Sequence, residues 1–320
     1  MWPMISIVVP IYNARPHLRR CLDSLFNQTM AGLEYLLVDD ASTDSPQEEI
    51  EAAIERFQVR KSSVKIIAHQ ENRGVSAARQ SGLDAANGKY IIFADPDDYM
   101  ECDMYEALLL EAENYQADMV WQDFFLDRNE TSVRVAQAKG ESANHLIDSI
   151  LKSEVHGATW NKLFRRRFLV ENNVRFPSER ITLCEDLYFL CHFLTKFPRV
   201  RYLDKCSYHY CEYESSATHR LTTQSLMSLK QVGEMLDELQ LAREHQEALV
   251  FWKKGVRFTG CFAEKVPDDF FLALFPEHRD LKGLPVNFIL KLLFHLAQLG
   301  PRAEALAIYR ALMKLKNYLK

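Results

Sequence analysis

What the 320-residue sequence lacks narrows its identity first. None of its seven cysteines (Cys21, Cys102, Cys184, Cys191, Cys206, Cys211 and Cys261) forms a Cys-x-x-Cys pair, and an odd, scattered set predicts reduced thiols in a cytoplasm. There is no long Lys/Arg block and no stacking-aromatic signature. With a formal net charge of -5, no global field attracts nucleic acid, so nucleic-acid binding is not expected. No apolar run approaches the roughly 18 residues of a membrane span; the longest late stretch, Phe288 to Leu299, is interrupted by Lys291 and His295. The apolar start, Met4 to Ile11, carries no basic leader and predicts a first strand instead of a signal peptide. Nor is there a glycine between Ile11 and Arg15, where a nucleotidyltransferase of similar topology would need a phosphate loop. What is present, 48% apolar and 26% charged residues, is ordinary globular composition, enough for a catalytic domain and an appendage.

Over the first 125 residues, short apolar runs alternate with helix-period segments, predicting an α/β fold with a mostly parallel sheet flanked by helices. Strands are predicted at Ile5–Val9, Tyr35–Val38, Val64–Ala68, Tyr90–Ala94 and Met119–Phe124. Helices are predicted from about Pro16, from Pro46, over Ser76–Ala86 and over Asp103–Tyr115. From about Leu221 the periodicity is helical throughout, broken at Pro267, Pro276, Pro285 and Gly300-Pro301. The predicted organisation is therefore a catalytic domain over 1–220, with halves 1–125 and 126–220, and a helical extension over 221–320. Its last segment, Arg302 to Lys320, sets five basic residues against Glu304 beside an apolar stripe that includes Ala305, Ile308 and Leu312. Such a helix could lie on an anionic membrane surface or dock on its own domain with a solvated basic face.

In open sheets of this kind, ligands bind beyond the carboxyl ends of the strands, and the acids cluster there. Asp95, Asp97 and Asp98 follow the fourth strand, Asp39 and Asp40 the second, and Pro10, Tyr12 and Asn13 the first. Carboxylates suit a hard divalent ion facing a diphosphate, and Tyr12 offers a face for a nucleobase. Each also has a plainer reading: Asp97 or Asp98 in an Asx turn, Tyr12 as packing, Asn13 and Asp44 as turn formers.

Four motifs in order, Val8-Val9-Pro10-x-Tyr12-Asn13, Val38-Asp39-Asp40-Ala41-Ser42-Thr43-Asp44, Asn72-x-Gly74-x-Ser76-x-Ala78-Arg79 and Asp95-Pro96-Asp97-Asp98, resemble family 2 glycosyltransferases of the GT-A fold. The resemblance is strong over residues 4–125 and looser over 156–216. It implies a Rossmann-like nucleotide half, a metal-binding Asp-x-Asp and transfer with inversion from a nucleotide-sugar donor, a UDP-sugar by family preference, to a glycan or glycolipid acceptor. Carried over by position, Pro10, Tyr12, Asn13, Asp39 and Asp40 would line the nucleotide pocket. Asp97, with Asp95, would hold Mn2+ or Mg2+, Asp95 alternatively facing the ribose. Pro96 departs from the small residue usual between these acids and stiffens the loop.

Arg79 could reach the diphosphate or be a helical surface charge. Cys184-Glu185-Asp186-Leu187 resembles the family's Glu-Asp motif, which implies Asp186 as the catalytic base and Glu185 as the second candidate; both acids would also suit a helix N-terminus. Lys162, in Trp160-Asn161-Lys162, could touch donor or acceptor. His209 could add a metal ligand or simply be packed among its aromatic neighbours. The family implies surface polysaccharide or lipopolysaccharide assembly at the inner membrane face. Two rivals remain at this stage: a catalytically inactive nucleotide-sugar binder, and a receiver-like acidic pocket, which lacks convincing counterparts of the phosphate-accepting Asp and trailing Lys.

Overall fold

The computed structural model describes residues 3–129, 131–140, 142–213, 221–239, 241, 243–263, 266–300 and 302–318, with the side chains of the last helix described to residue 313. The chain divides into two compact units, Met1–Glu214 and Ser215–Lys320.

In the first unit, β1 (Ile5–Ile11), β2 (Leu33–Asp39), β3 (Val64–Ala68) and β4 (Tyr90–Phe93) pair in parallel in the order β3-β2-β1-β4. The crossovers carry α1 (Arg15–Phe26), α2 (Pro46–Arg56) and α3 (Val75–Ala85). All seven residues of β1 are buried, as a central strand covered on both faces requires. On one face, Ile5, Ile7, Val9 and Ile11 meet Leu18, Leu22 and Leu25 of α1. On α3, Gly82 lies so close to β1 that a Cβ there would sit 2.3 Å from Cγ1 of Val8. Gly82→Ala is therefore expected to cost about 1–3 kcal/mol in denaturant unfolding, because the stiff, fully buried Val8 cannot move aside. That close approach matters because α3 carries Arg79.

Beyond β4 the parallel pattern ends. The chain does not cross over to another neighbouring strand but runs through the Asp95–Asp98 loop into β5 (Tyr99–Met100), at the far edge of the sheet. After α4 (Met104–Asn114) come β6 (Met119–Arg128), β7 (Thr131–Val135), α5 (Ala143–Leu151), β8 (Lys162–Arg165), α6 (Arg166–Glu171), α7 (Glu185–Leu194) and β9 (Val200–Cys211). β8 lies antiparallel to both β4 and β6, β9 parallel to β6, and β5 antiparallel to β9. The mostly parallel description thus holds for β1 to β4, and the strands after them make the rest of the sheet mixed.

The second unit is helical among its described residues: α8 (Thr223–Glu238), α9 (Gln246–Cys261), α10 (Asp268–Ala273), α11 (Phe288–Gln298) and α12 (Arg302–Tyr318). Arg302, expected on the basic face of the last helix, is buried instead. Its guanidinium donates to the carbonyls of Gly260, Cys261, Ala263 and Val266 and to Asp268, closing the C-terminus of α9. Lys314, Lys316 and Lys320 have side chains outside the described residues. Among the described residues no helix is long and apolar enough to cross a membrane.

Candidate active site

The loops after β1 and β2 lock together through the sequence motifs that mark them. Asn13 takes a left-handed backbone (φ 50°), donates its N–H to Ser42 Oγ at 3.1 Å and accepts from the Thr43 N–H at 2.9 Å. Asp44 Oδ2 accepts from the backbone N–H of Arg15 at 2.8 Å, supplying from a neighbouring loop the cap that Ala14 cannot give α1. Asp39 accepts from the Ser42 N–H at 3.0 Å and from Gln47 at 2.5 Å. Asn13 and Asp39 therefore build the rim of the crevice. Tyr12, half exposed beside them, keeps a free ring face.

Asp40 behaves differently from the expectation that it faces a nucleobase. Its carboxylate is 2% exposed and fully engaged, with His69 Nδ1 at 2.6 Å and the N–H groups of Arg73 and Gly74 at 2.9 and 2.7 Å. Asp40 thus shapes the loop leading into α3. Gly74 in that loop has φ 90°, a backbone that favours glycine.

Asp95–Asp98 is held at both ends by one tyrosine. The Asp95 N–H donates to Tyr208 Oη at 3.1 Å, and the Tyr208 hydroxyl donates to Asp98 at 2.7 Å. Asp98 also accepts from the Cys211 N–H at 2.8 Å and is fully buried; burial and the Asp97 charge push its carboxyl well above the usual range. Asp98 is a brace. Asp97 is not, since no side-chain partner engages its carboxylate among the described residues, and burial followed by the Asp95 charge pushes it up to about 6. Its backbone carbonyl is gripped by Arg20 of α1 at 2.8 Å. Arg20 was not singled out from the sequence, where it looks like any solvated helical charge.

Arg79 joins the two halves of the site. Its Nη2 donates to Asp95 at 2.8 Å, and its Nη1 to Glu185 at 2.6 Å and Asp186 at 2.9 Å. Its side chain is 4% exposed. Burial pulls its proton affinity down, but Asp186, Asp95 and Glu185 together hold it above the ordinary arginine value. Three carboxylates thus occupy two nitrogens of the guanidinium expected to reach a diphosphate.

Glu185 and Asp186 start α7 directly after Cys184, which takes a left-handed backbone (φ 66°). Asp186 binds Arg79 through Oδ1 and accepts the Thr159 N–H through Oδ2 at 3.2 Å. Burial, opposed by Arg79 and reinforced by Glu185, pushes its carboxyl up to about 7. Each oxygen retains a second lone pair for an incoming proton.

Lys162 and His209 do not join this group. Lys162 is fully buried and donates to the carbonyls of His156 and Ala158 and to Asn161 Oδ1, all within 2.8 Å; burial lowers it to about 7. It ties together the turn that presents the Thr159 N–H to Asp186, so it cannot reach donor or acceptor. Lys162→Met is expected to lower transfer roughly 10- to 100-fold through misplacement of that turn, with donor KM unchanged in steady-state assays. His209 is stacked between Tyr99 and Phe125, with centroids 4.1 and 4.7 Å away, and both ring nitrogens are committed at 3.1 Å, to Asp127 and Glu101. This sandwich withdraws His209 from metal ligation. Pro10 is buried within β1 and can offer a pocket only backbone and ring edge.

Among the described residues no group of three or more His, Cys, Asp or Glu is arranged to hold a metal ion. Asp95 and Asp97 still fit one. A small hard cation is commonly held by one or two carboxylates with phosphate and water completing its shell, and Asp97 is a half-buried carboxylate that no side chain engages among the described residues.

Residues 6–173, more than half of the chain, match the family described as Glycosyl transferase family 2. The chain is 32% identical over 226 residues to the putative glycosyltransferase EpsH of Bacillus subtilis (strain 168), a match covering 68% of this chain and 63% of that protein, under two thirds of its length. Among solved structures, S. aureus TarS 1–349 is similar with a TM-score of 0.66 at 20% identity, covering 96% of this chain and 91% of that one. TarS 1–349 in complex with UDP-GlcNAc gives 0.62 at 18% identity, covering 96% and 92%. The mannosyltransferase PcManGT from Pyrobaculum calidifontis, in complex with GDP-Man and Mn2+, gives 0.58 at 17% identity, covering 98% and 86%. At such identities these structures speak to the fold alone, a GT-A-like sheet flanked by helices. Taken with the match over residues 6–173, that architecture leads to one conclusion: the chain belongs to glycosyl transferase family 2.

Proposed function

We propose that the chain moves a sugar from a nucleotide-diphosphate sugar, a UDP-sugar, to a hydroxyl of a glycan or glycolipid acceptor, with inversion, in the synthesis of cell-surface polysaccharide or lipopolysaccharide. One observation carries the reading. Through the single guanidinium of Arg79, a donor-side acid, Asp95, and the acceptor-side acids, Glu185 and Asp186, are held within a few ångströms of a common point. A displacement at one carbon needs this convergence, since the attacking hydroxyl and the departing diphosphate flank the same atom.

In this reading Asp186 takes the proton of the acceptor hydroxyl, whose oxygen attacks the anomeric carbon as the bond to the diphosphate oxygen breaks. Shielding favours it, because a carboxylate raised toward neutrality by burial is a better base than a solvated one. Asp97 and Asp95 would hold Mn2+ or Mg2+, which supplies positive charge for the departing diphosphate. Tyr12 offers its exposed ring to the base, while Asn13 and Asp39 keep the two rim loops together. The UDP-GlcNAc complex of TarS and the GDP-Man and Mn2+ complex of PcManGT support a nucleotide-sugar donor and a divalent ion on this fold.

The test is a panel of UDP-, GDP-, ADP- and dTDP-sugars incubated with the chain in the presence and absence of Mn2+, with release of nucleoside diphosphate measured. Metal-dependent release from a UDP-sugar is expected. Binding without release would instead mark a nucleotide-sugar binder, and neither binding nor release from any donor would refute the reading.

A further inference from the structure

The second unit carries a surface that the sugar-transfer chemistry does not use. α11 is apolar almost all the way round. Its inner face buries Leu293, Phe294 and Ala297, as an ordinary packed helix would. The opposite face is not covered: Phe288 is 78% exposed, Ile289 51%, Leu292 49%, Leu296 37% and Leu299 82%. Residues 288, 292, 296 and 299 recur at helical spacing, so these side chains form one stripe along the helix. The Asn287 side chain caps the helix, accepting from the Leu290 N–H at 2.9 Å, so Phe288 stands on an ordered first turn. A contiguous stripe of this kind marks an interaction surface in a way that scattered exposed leucines do not.

The charge around it identifies the occupant. From Leu281 to Lys320 the sequence holds seven Lys and Arg residues and a single acid, Glu304; Arg302 is spent inside the unit and the side chains of Lys314, Lys316 and Lys320 lie outside the described residues, which leaves Lys282, Lys291 and Arg310 as the described cations of this segment. Lys291 lies on α11 itself, and Lys282 and Arg310 are exposed on the neighbouring segments. An apolar stripe bordered by cations, on a helix too short to cross a bilayer, is the pattern of a helix lying in the plane of an anionic membrane surface. A second copy of the same face would bring cations against cations, which like-charge repulsion disfavours.

We propose that α11 is a monotopic membrane-docking helix, its Phe288–Leu292–Leu296–Leu299 stripe entering the acyl boundary of an anionic leaflet while Lys282, Lys291 and Arg310 meet the lipid headgroups. The inserting element is thus α11. The adjacent α12 buries Ala305 and Leu306 in its own unit and uses Arg302 to close α9. The proposal stands apart from sugar transfer, because none of its residues belongs to the acid cluster.

The experiment is co-sedimentation of the full chain with phosphatidylcholine vesicles and with vesicles of phosphatidylcholine and phosphatidylglycerol at about 7:3. Partition onto the anionic vesicles is expected, weakening as salt rises. The double variant Phe288→Ser with Leu299→Ser should lower the partition coefficient on the order of 100-fold, while circular dichroism and nucleotide-sugar hydrolysis stay unchanged, since both side chains are exposed and outside the acid cluster. Absence of binding to anionic vesicles would overturn the proposal, as would equal partition of the double variant. So would self-association of the wild type, in sedimentation velocity without lipid, that the double variant abolishes, because the stripe would then belong to a second copy. None of these outcomes bears on the sugar-transfer reading.

Discussion

Asp186→Asn is expected to lower sugar transfer by roughly 100- to 10,000-fold, the range for loss of a positioned general base, while leaving donor affinity unchanged. The asparagine carbonyl can still accept from Arg79, so the acid cluster keeps most of its geometry, but it cannot take a proton. The wild-type pH profile carries the same information. Burial raises the carboxyl to about 7, so a base that works only when ionised loses activity as pH falls through that value and levels off above it. Single-turnover transfer measured between about pH 5.5 and 9 should show that acidic limb in the wild type and lose it in the variant. Near-normal transfer by Asp186→Asn would move the role to Glu185, the other acid on the same guanidinium nitrogen.

The second large effect is on stability. Arg79→Met removes the only cation contacting Asp95, Glu185 and Asp186 among the described residues, leaving carboxylates with side-chain exposures of 23%, 11% and 12%. Breaking a buried ion pair from one side costs about 3–5 kcal/mol, because the remaining charge is desolvated without compensation. The sign with pH follows. Burial holds the Asp186 carboxyl at about 7 even with Arg79 opposing it, so without the guanidinium it rises further and the folded variant keeps that proton to higher pH than the folded wild type. The variant's stability is greatest below the unfolded pKa and declines as pH rises toward that higher folded value, so its deficit against the wild type opens as pH passes about 7. Urea unfolding should therefore show a wild-type-to-variant gap that is large near pH 8 and narrows toward about pH 5. A gap that stays constant over that range would mean that Arg79 stabilises by packing against Phe176 and not by charge.

The acid cluster and the exposed α11 stripe fall in different units of the chain, so the variants above separate the two proposals. Loss of transfer with intact vesicle binding is expected for Asp186→Asn, and the reverse for the α11 double variant.

Much of the nucleotide half was legible in the residues. Val64–Ala68 coincides with the predicted strand, α1 and α2 start within about one residue of their predicted first turns, and α3 and α4 start and stop within about one residue of their predicted bounds, because each is an apolar stripe of clear period. The strands β5, β7, β8 and β9 were not. β5 has two residues, β8 has four, and β7 is largely exposed, so none presents a periodic run; β9 is interrupted by Arg201, Asp204 and Lys205. Such strands exist because neighbouring strands offer them hydrogen bonds, which is a tertiary cause.

The acids show the same division. Spacing alone placed Asp39, Asp40, Asp95, Asp97 and Asp98 at strand ends, because a parallel sheet delivers every strand to the same edge and the residue type that follows is written locally. Which of them turns inward was decided only by partners far along the chain: His69 for Asp40, Tyr208 and Cys211 for Asp98, and Glu185 and Asp186 for the arginine on α3. Lys162 and His209 were singled out by their place in segments that resemble the family, and both are consumed by neighbours no periodicity could reveal. A side chain's type and phase are properties of the sequence; the bonds that leave one carboxylate unpartnered and saturate another arise only when segments a hundred residues apart close on each other.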